Sequence, residues 1–225
     1  MWKLIKPIFQ LILSDMQYQK FRRLILVFLA NFGYSNSLRR MDRKIVELFS
    51  GKENGVFIEV GAADGVDQSN TLLLERKYSW TGLLVEPISD QFNFCKKVRE
   101  NAFVENCCLG SFEGSLGESE FYSSNLTSRV VKKNDVEQTN EIEIVKNNSL
   151  DNLLKKYHIE TVDIMSLDVE GYEIEVLDGY NDENKIIEYL LVETWDFEKF
   201  FSYAKTRNWQ YVCSWGVSDF LFKLR

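Results

Sequence analysis

Three short strings of glycines and acids carry the chemistry this chain can do. The first is Phe57-Ile58-Glu59-Val60-Gly61-Ala62-Ala63-Asp64-Gly65. An apolar run delivers Glu59 to a turn. Gly61 and Gly65, with Ala62 between them, permit a tight bend and a backbone approach to a ligand that no β-carbon would tolerate. Such a bend suits a nucleoside cofactor. Dinucleotide sites favour G-x-G-x-x-G, whose second glycine admits a pyrophosphate at a helix N-terminus. Ala63 stands at that place here, and an acid at Glu59 suits an ammonium and sulfonium ligand better than an anion.

The second string, Gly82-Leu83-Leu84-Val85-Glu86-Pro87, puts Glu86 and Pro87 at the end of the next strand. A carboxylate there accepts hydrogen bonds from both hydroxyls of a ribose. A nicotinamide enzyme uses an acid at the same place, so Glu86 argues for a nucleoside without choosing one. The third string runs from Asp163 to Glu173 and includes Leu167-Asp168-Val169-Glu170-Gly171. Asp168 is placed at the ligand-binding edge of a sheet. Glu170 is either a catalytic acid or a favourable anion at a helix start, the latter worth about 0.3–1 kcal/mol. Glu193 ends a further strand; neighbouring strands lie about 4.8 Å apart, so Asp168 and Glu193 can converge on an acceptor proton or on a divalent cation. Glu193 equally suits a buried acid paired with a cation. Asn70, after the glycine loop, either binds the donor or caps the next helix. Asn106 and Cys107, at the end of a third strand, are the expected neighbours of the adenine ring. Tyr172 and Trp195 are placed to stack on a sugar or on the sulfonium, or to pack in the core.

The elements that position these residues alternate from Val56 onward. Strands are expected over Val56–Val60, Gly82–Val85, Ala102–Cys107, Val162–Leu167 and Glu188–Glu193. Between them the helical spacing predicts helices over Ser69–Lys77, Asp90–Glu100, Leu150–Tyr157, Tyr172–Leu177 and Phe197–Arg207. Glu118–Ser123 and Glu141–Val145 alternate polar with apolar residues, as two strands of an inserted hairpin or edge would. Trp209–Ser214 and Ser218–Leu224 have a connection so short that they must pair antiparallel. Residues 1–50 read as a helical cap or extension and 51–225 as one Rossmann-like domain.

The combination resembles an FkbM-type methyltransferase. The resemblance rests on Phe57–Gly65, Ser69-Asn70-Thr71, Trp80–Pro87, Ser149-Leu150-Asp151-Asn152-Leu153-Leu154, Asp168–Glu173 and Val192-Glu193, and covers about Val56 to Glu193. It implies a class I fold, a seven-stranded, mostly parallel sheet with an antiparallel C-terminal hairpin. It also implies methyl transfer from S-adenosylmethionine, often to a hydroxyl of a sugar, glycan or natural product. In that reading Gly61 lies against the methionine portion, and Asp168, Glu193 and Glu170 assist at the acceptor. The competing readings are a nicotinamide-dependent sugar oxidoreductase or epimerase, disfavoured by Ala63 and the lack of a Tyr-x-x-x-Lys pair, and an inactive interaction module.

Composition narrows the field. A chain of 225 residues with 45% hydrophobic and 27% charged residues suits one globular domain. A net charge of −7 disfavours nucleic acid as partner. The single histidine, His158, precedes the strand at 162–167 and so sits at the wrong edge for catalysis, which removes a Ser-His-Asp hydrolase and a His-ligated zinc. Cys95, Cys107, Cys108 and Cys213 show no metal or redox spacing and read as reduced thiols of a cytoplasmic protein. The sequons at Asn125 and Asn147 are of a kind common by chance. Leu4–Leu13 and Leu24–Ala30 fall short of the roughly 20 residues a bilayer span requires, and no signal-peptide pattern precedes them. Basic residues beside Trp2, Phe21 and Phe28 leave a peripheral membrane contact through residues 1–30 as an alternative to simple capping.

Overall fold

The computed structural model of the chain describes residues 14–112, 117–123, 129–130, 141–181 and 186–225. The Leu4–Leu13 run and the Asn125 sequon lie outside them. The order of elements is α1 (Asp15–Ala30), a 3-10 turn (Leu38–Arg40), α2 (Met41–Leu48), β1 (Val56–Val60), α3 (Leu72–Tyr78), β2 (Thr81–Val85), α4 (Ser89–Val98), β3 (Ala102–Glu105) and β4 (Cys108–Leu109). There follow β5 (Glu118–Ser123), β6 (Arg129–Val130), β7 (Glu141–Asn148), α5 (Leu150–Lys156), β8 (Thr161–Leu167), α6 (Glu173–Asp178), β9 (Ile186–Glu193), α7 (Phe197–Thr206), β10 (Trp209–Ser214) and β11 (Asp219–Leu224).

Seven strands form one sheet in the order β10-β11-β9-β8-β1-β2-β3. The five strands from β9 to β3 are mutually parallel, whereas β11 runs antiparallel to both β9 and β10. The reason lies in the residues. β1 and β8 read as nearly continuous apolar runs because helices cover both faces of a parallel sheet. Alternate residues divide between those faces. Ile58, Val60, Met165, Leu167 and Leu190 pack with Leu153 of α5, Val176 of α6 and Phe200 of α7. Phe57, Leu84, Ile164 and Leu191 pack with Met41 and Ile45 of α2 and with Leu74 of α3. The result is a three-layer Rossmann-like α/β architecture, as the sequence leads one to expect. Polar caps start three of the helices: Ser14 and Gln17 exchange bonds at α1, Ser149 accepts from Asn152 at α5, and Asp196 from Lys199 at α7.

A second, four-stranded sheet in the order β4-β7-β5-β6 stands beside the first. Its antiparallel β5–β7 pair matches the inserted hairpin read from the alternation. β3 is shorter than the run Ala102–Cys107 predicts. The chain leaves the main sheet at Asn106, and Cys108 and Leu109 join β7 instead. Residues 14–50 are built into the domain. Met41 and Ile45 of α2 belong to a core face, and Leu26 and Ala30 of α1 pack against Val66, Leu72 and Val98. Among the described residues no helix is long and apolar enough to cross a membrane.

Candidate active site

The C-terminal ends of β1, β2 and β8 open onto a pocket whose wall includes Gly61, Ala62, Glu86, Pro87, Asp168 and Tyr172. Backbone bonds stitch its floor: Gly61 N and Ala62 N both donate to Val85 O (3.0 and 3.1 Å), and Asp168 N donates to Val60 O (3.1 Å). Gly61 has φ +80°. A β-carbon on it would overlap the carbonyl oxygen of Asp168, so the loop and the Asp168 strand end can meet only at a glycine. Ala63, Gln68 and Glu170 also line the pocket and hold left-handed φ values of 48°, 63° and 52° without being glycine. Such strain collects at ligand sites, where the surrounding structure enforces it.

Glu59 lines the pocket but turns its carboxylate to the chain. It accepts from Asn70 N (2.7 Å), Ser69 Oγ (2.9 Å) and Thr71 Oγ1 (2.6 Å). The guanidinium of Arg99 approaches the same carboxylate at 3.4 Å and that of Glu75 at 2.5 Å, with all three residues buried. Glu59 therefore anchors the segment before α3. Asn70 lines the pocket too. It does not cap that helix, whose N-cap Thr71 makes no side-chain cap bond. Its Oδ1 accepts from Ser37 Oγ (2.5 Å) and its Nδ2 donates to Ser166 Oγ (3.0 Å).

Glu86 is 5% exposed, with Oε2 accepting from Ala63 N (2.7 Å) and Oε1 from Ile88 N (2.8 Å). Burial pushes its carboxyl up to about 7; the two amide bonds pull the other way. Asn106 differs from expectation: it is absent from the pocket wall and donates instead to the carbonyls of Glu86 (3.0 Å) and Pro87 (2.8 Å). Cys107, Cys108 and Leu109 supply the wall there. Gly65 differs as well. It lies off the pocket, and a β-carbon on it would press on Cys95 Sγ at 2.6 Å and Arg99 Cγ at 3.0 Å, so this glycine serves packing against α4. Burial raises the thiols of Cys95 and Cys107 to about 12 and of Cys108 to about 11, and all four cysteines are free.

Asp168 carries the largest consequence. Burial first, then the nearby charges of Glu193, Glu170, Glu173 and Asp219, push its carboxyl up to about 8. Glu170 shares the pocket wall, whereas Glu193 does not; it accepts from Ser218 Oγ (3.0 Å) on the far side of the strand end and lies opposite Asp219 in the sheet. Among the described residues no group of three or more His, Cys, Asp or Glu side chains is gathered to hold a metal ion. Asp168 and Glu193, the pair expected to converge on a cation, are not part of any such group. Tyr172 lines the pocket and also packs against Ile88, Cys108 and Val145. Trp195 is 76% exposed. His158 sits in the turn between α5 and β8, at the opposite edge of the sheet.

The strings of acids and glycines give no hint of the N-terminal partners. Arg22 meets Asp67 through two 2.7 Å bonds, and Arg23 Nε lies 2.6 Å from Asp64. Asn36 donates to Val66 O (2.8 Å), and Ser37 bridges to Gln68. These contacts clasp the loop that forms one side of the pocket. Their sequence signal is a pair of adjacent arginines, Arg22 and Arg23, just before the apolar run Leu24–Ala30.

A family model described as the methyltransferase FkbM domain matches residues 59–216. A curated relative, Methyltransferase 1 of Beauveria bassiana, is 28% identical over 159 residues, which is 60% of this chain and 64% of the relative. The match thus spans less than two thirds of that relative's length. Among solved structures, a TehB-like SAM-dependent methyltransferase from Corynebacterium glutamicum aligns with a TM-score of 0.46 at 11% identity, over 94% of this chain and 98% of that one. TrmK of M. capricolum in complex with S-adenosyl-homocysteine aligns with a TM-score of 0.43 at 9% identity, over 81% of this chain and 65% of that one.

Proposed function

This chain belongs to the FkbM methyltransferase family, and from that premise we propose that it is an S-adenosylmethionine-dependent O-methyltransferase acting on a hydroxyl of a sugar, glycan or other natural product. The observation that carries the reading is the meeting of Glu86 with the glycine loop, where the Ala63 amide faces a carboxylate. An amide so engaged, beside an anion, is poorly disposed toward the pyrophosphate of a dinucleotide. The same arrangement suits a ribose, whose hydroxyls donate to a carboxylate with lone pairs to spare.

S-adenosylmethionine supplies a methyl carbon already activated by a positive sulfur. The chain's task is then to hold the donor, align a hydroxyl and take its proton. Gly61, Ala62, Glu86, Pro87 and Cys107 form the donor side in this proposal, with Glu59 and Asn70 holding its loop. Asp168 is the general base. A carboxyl at about 8 is matched to proton transfer near neutral pH, and its ionised form is a far stronger base than an ordinary aspartate. Glu193 acts on Asp168 through its charge, and Glu170 flanks the acceptor. Exposed Trp195, next to the β9 strand end, offers an apolar face to a pyranose ring.

Two measurements test this. Calorimetry with S-adenosylhomocysteine and with NAD is expected to show binding of the first alone; the reverse result overturns the donor. Methyl transfer from labelled donor to a panel of glycans and hydroxylated small molecules is expected to be lost in Asp168→Asn while S-adenosylhomocysteine still binds. Transfer to nitrogen or carbon acceptors only would overturn the O-methyl reading.

A further inference from the structure

Helix α1 has two unlike faces. Its inner face buries Tyr18, Leu26 and Ala30 and carries Arg22 and Arg23 to the pocket loop. On the outer face Met16, Leu24 and Phe28 are 83%, 50% and 60% exposed, and Phe32 just beyond the helix is 71% exposed. Residues four apart on a helix stack along one side, so Met16, Lys20, Leu24 and Phe28 form a single stripe, which the Phe28–Phe32 ring contact (5.1 Å between centroids) extends. A run of large apolar side chains so exposed marks an interaction surface.

Charge identifies the occupant. Residues 14–50 hold seven Lys and Arg against three Asp and Glu, a net of +4, whereas residues 51–225 hold 18 against 31, a net of −13; Arg22, Arg23 and Arg39 are paired inward with Asp67, Asp64 and Asp219, and Lys20 is the cation on the stripe itself. An anionic surface therefore attracts this segment and repels the rest of the molecule, which fixes one orientation. We infer that the outer face of α1 docks on an anionic lipid surface, with Met16, Leu24, Phe28 and Phe32 entering the interface and Lys20 meeting the headgroups. The inference stands apart from the methyl-transfer reading, yet it has a consequence for it. The helix that meets the lipid is the one whose arginines clasp Asp64 and Asp67, and Asp67 lines the pocket, so docking and the pocket loop share one element.

The test is co-sedimentation of the full chain with vesicles of phosphatidylcholine alone and of phosphatidylcholine mixed with phosphatidylglycerol. The expected result is binding to the mixed vesicles that weakens with added salt. The double variant Leu24→Glu/Phe28→Glu should lower the vesicle partition by about tenfold or more, since charges replace buried apolar surface, with an unchanged melting temperature because both side chains are exposed. Lys20→Glu should weaken binding to the anionic vesicles only. Absence of binding by the native chain, or equal binding by the double variant, overturns the inference. So does light scattering that shows a dimer dissociating in the double variant, which would assign the stripe to a second copy of this chain.

Discussion

Gly61 and Asp168 meet through their backbones, with the α-carbon of the loop glycine facing the carbonyl oxygen of the aspartate so closely that a β-carbon there would overlap it. The glycine loop and the proposed base are thus joined backbone to backbone, with the bond from Asp168 N to Val60 O beside the contact. Gly61→Ala is expected to push the strand ends apart. At φ +80° an L side chain adds strain of about 1–2 kcal/mol besides the overlap. S-adenosylhomocysteine affinity should fall by about tenfold or more, a 1.4 kcal/mol change, and the melting temperature should drop. Calorimetry giving native affinity would show that the loop does not form the donor wall.

The pH dependence follows from Asp168. Its carboxyl sits at about 8 against an ordinary value of 3.8. A base must be ionised, so kcat/KM, which reports the groups of the free enzyme, is expected to climb with pH and level off above about 8, and Asp168→Asn should lower it by about 10²–10⁴-fold. Stability runs the other way. A carboxyl raised on folding favours the protonated native state, and that contribution is full below pH 3.8 and is lost as pH rises through about 8. Asp168→Asn should therefore melt higher than the native chain at pH 9, with the gap closing in acid. Thermal scans across pH would show it; a variant that melts lower at pH 9 would contradict the burial and repulsion assigned to this group.

Glu86→Gln separates charge from shape. The amide oxygen can still accept one of the bonds from Ala63 N and Ile88 N, but the other meets an NH2 group. Loss of a charged acceptor in a buried site costs about 1.5–3 kcal/mol. S-adenosylhomocysteine affinity should therefore fall by about ten- to a hundredfold, with adenine alone binding as before. Equal loss for adenine and the whole nucleoside would mean that Glu86 shapes the loop and does not touch the ribose.

Arg99 is the buried cation of the loop, held between Glu59 and Glu75. Arg99→Met leaves both carboxylates without their partner, and breaking such a buried pair costs about 3–5 kcal/mol. Denaturant unfolding should show a loss of that size. Arg23→Gln breaks a pair whose arginine is one third exposed but whose Asp64 carboxylate is buried, and its cost should stay below that of Arg99→Met, where both partners are buried. A larger effect at Arg23 than at Arg99 would reverse the assignment of the anchor.

Ser37→Ala tests the N-terminal clasp on the donor loop. It removes the 2.5 Å bond to Asn70 Oδ1 across 33 residues of sequence. The expected outcome is a rise of a few fold in the donor KM, matching about 0.5–1.5 kcal/mol for one hydrogen bond, with kcat unchanged. Steady-state kinetics with varied donor measure it, and an unchanged KM would leave Ser37 with no part in the site.

The linear sequence by itself determined the strands of the main sheet apart from the end of β3, the antiparallel closing pair and the acids at the strand ends, because these depend on side chains a few positions apart. An apolar run such as Phe57–Val60 makes a strand covered on both faces, and the residue after it must face the sheet's edge. Glu86 and Asp168 were legible for that reason. What only the tertiary structure decided is whom those residues meet. Gly65 looks like a ligand glycine until α4 brings Cys95 and Arg99 against it; Asn106 looks like an adenine neighbour until its amide finds the carbonyls of Glu86 and Pro87. Glu193 reads as part of the acceptor site, yet it faces Ser218. The clasp of Arg22, Arg23 and Ser37 on the loop joins residues more than thirty positions apart. Burial and partner choice arise from packing between distant segments, and local pattern carries no record of it.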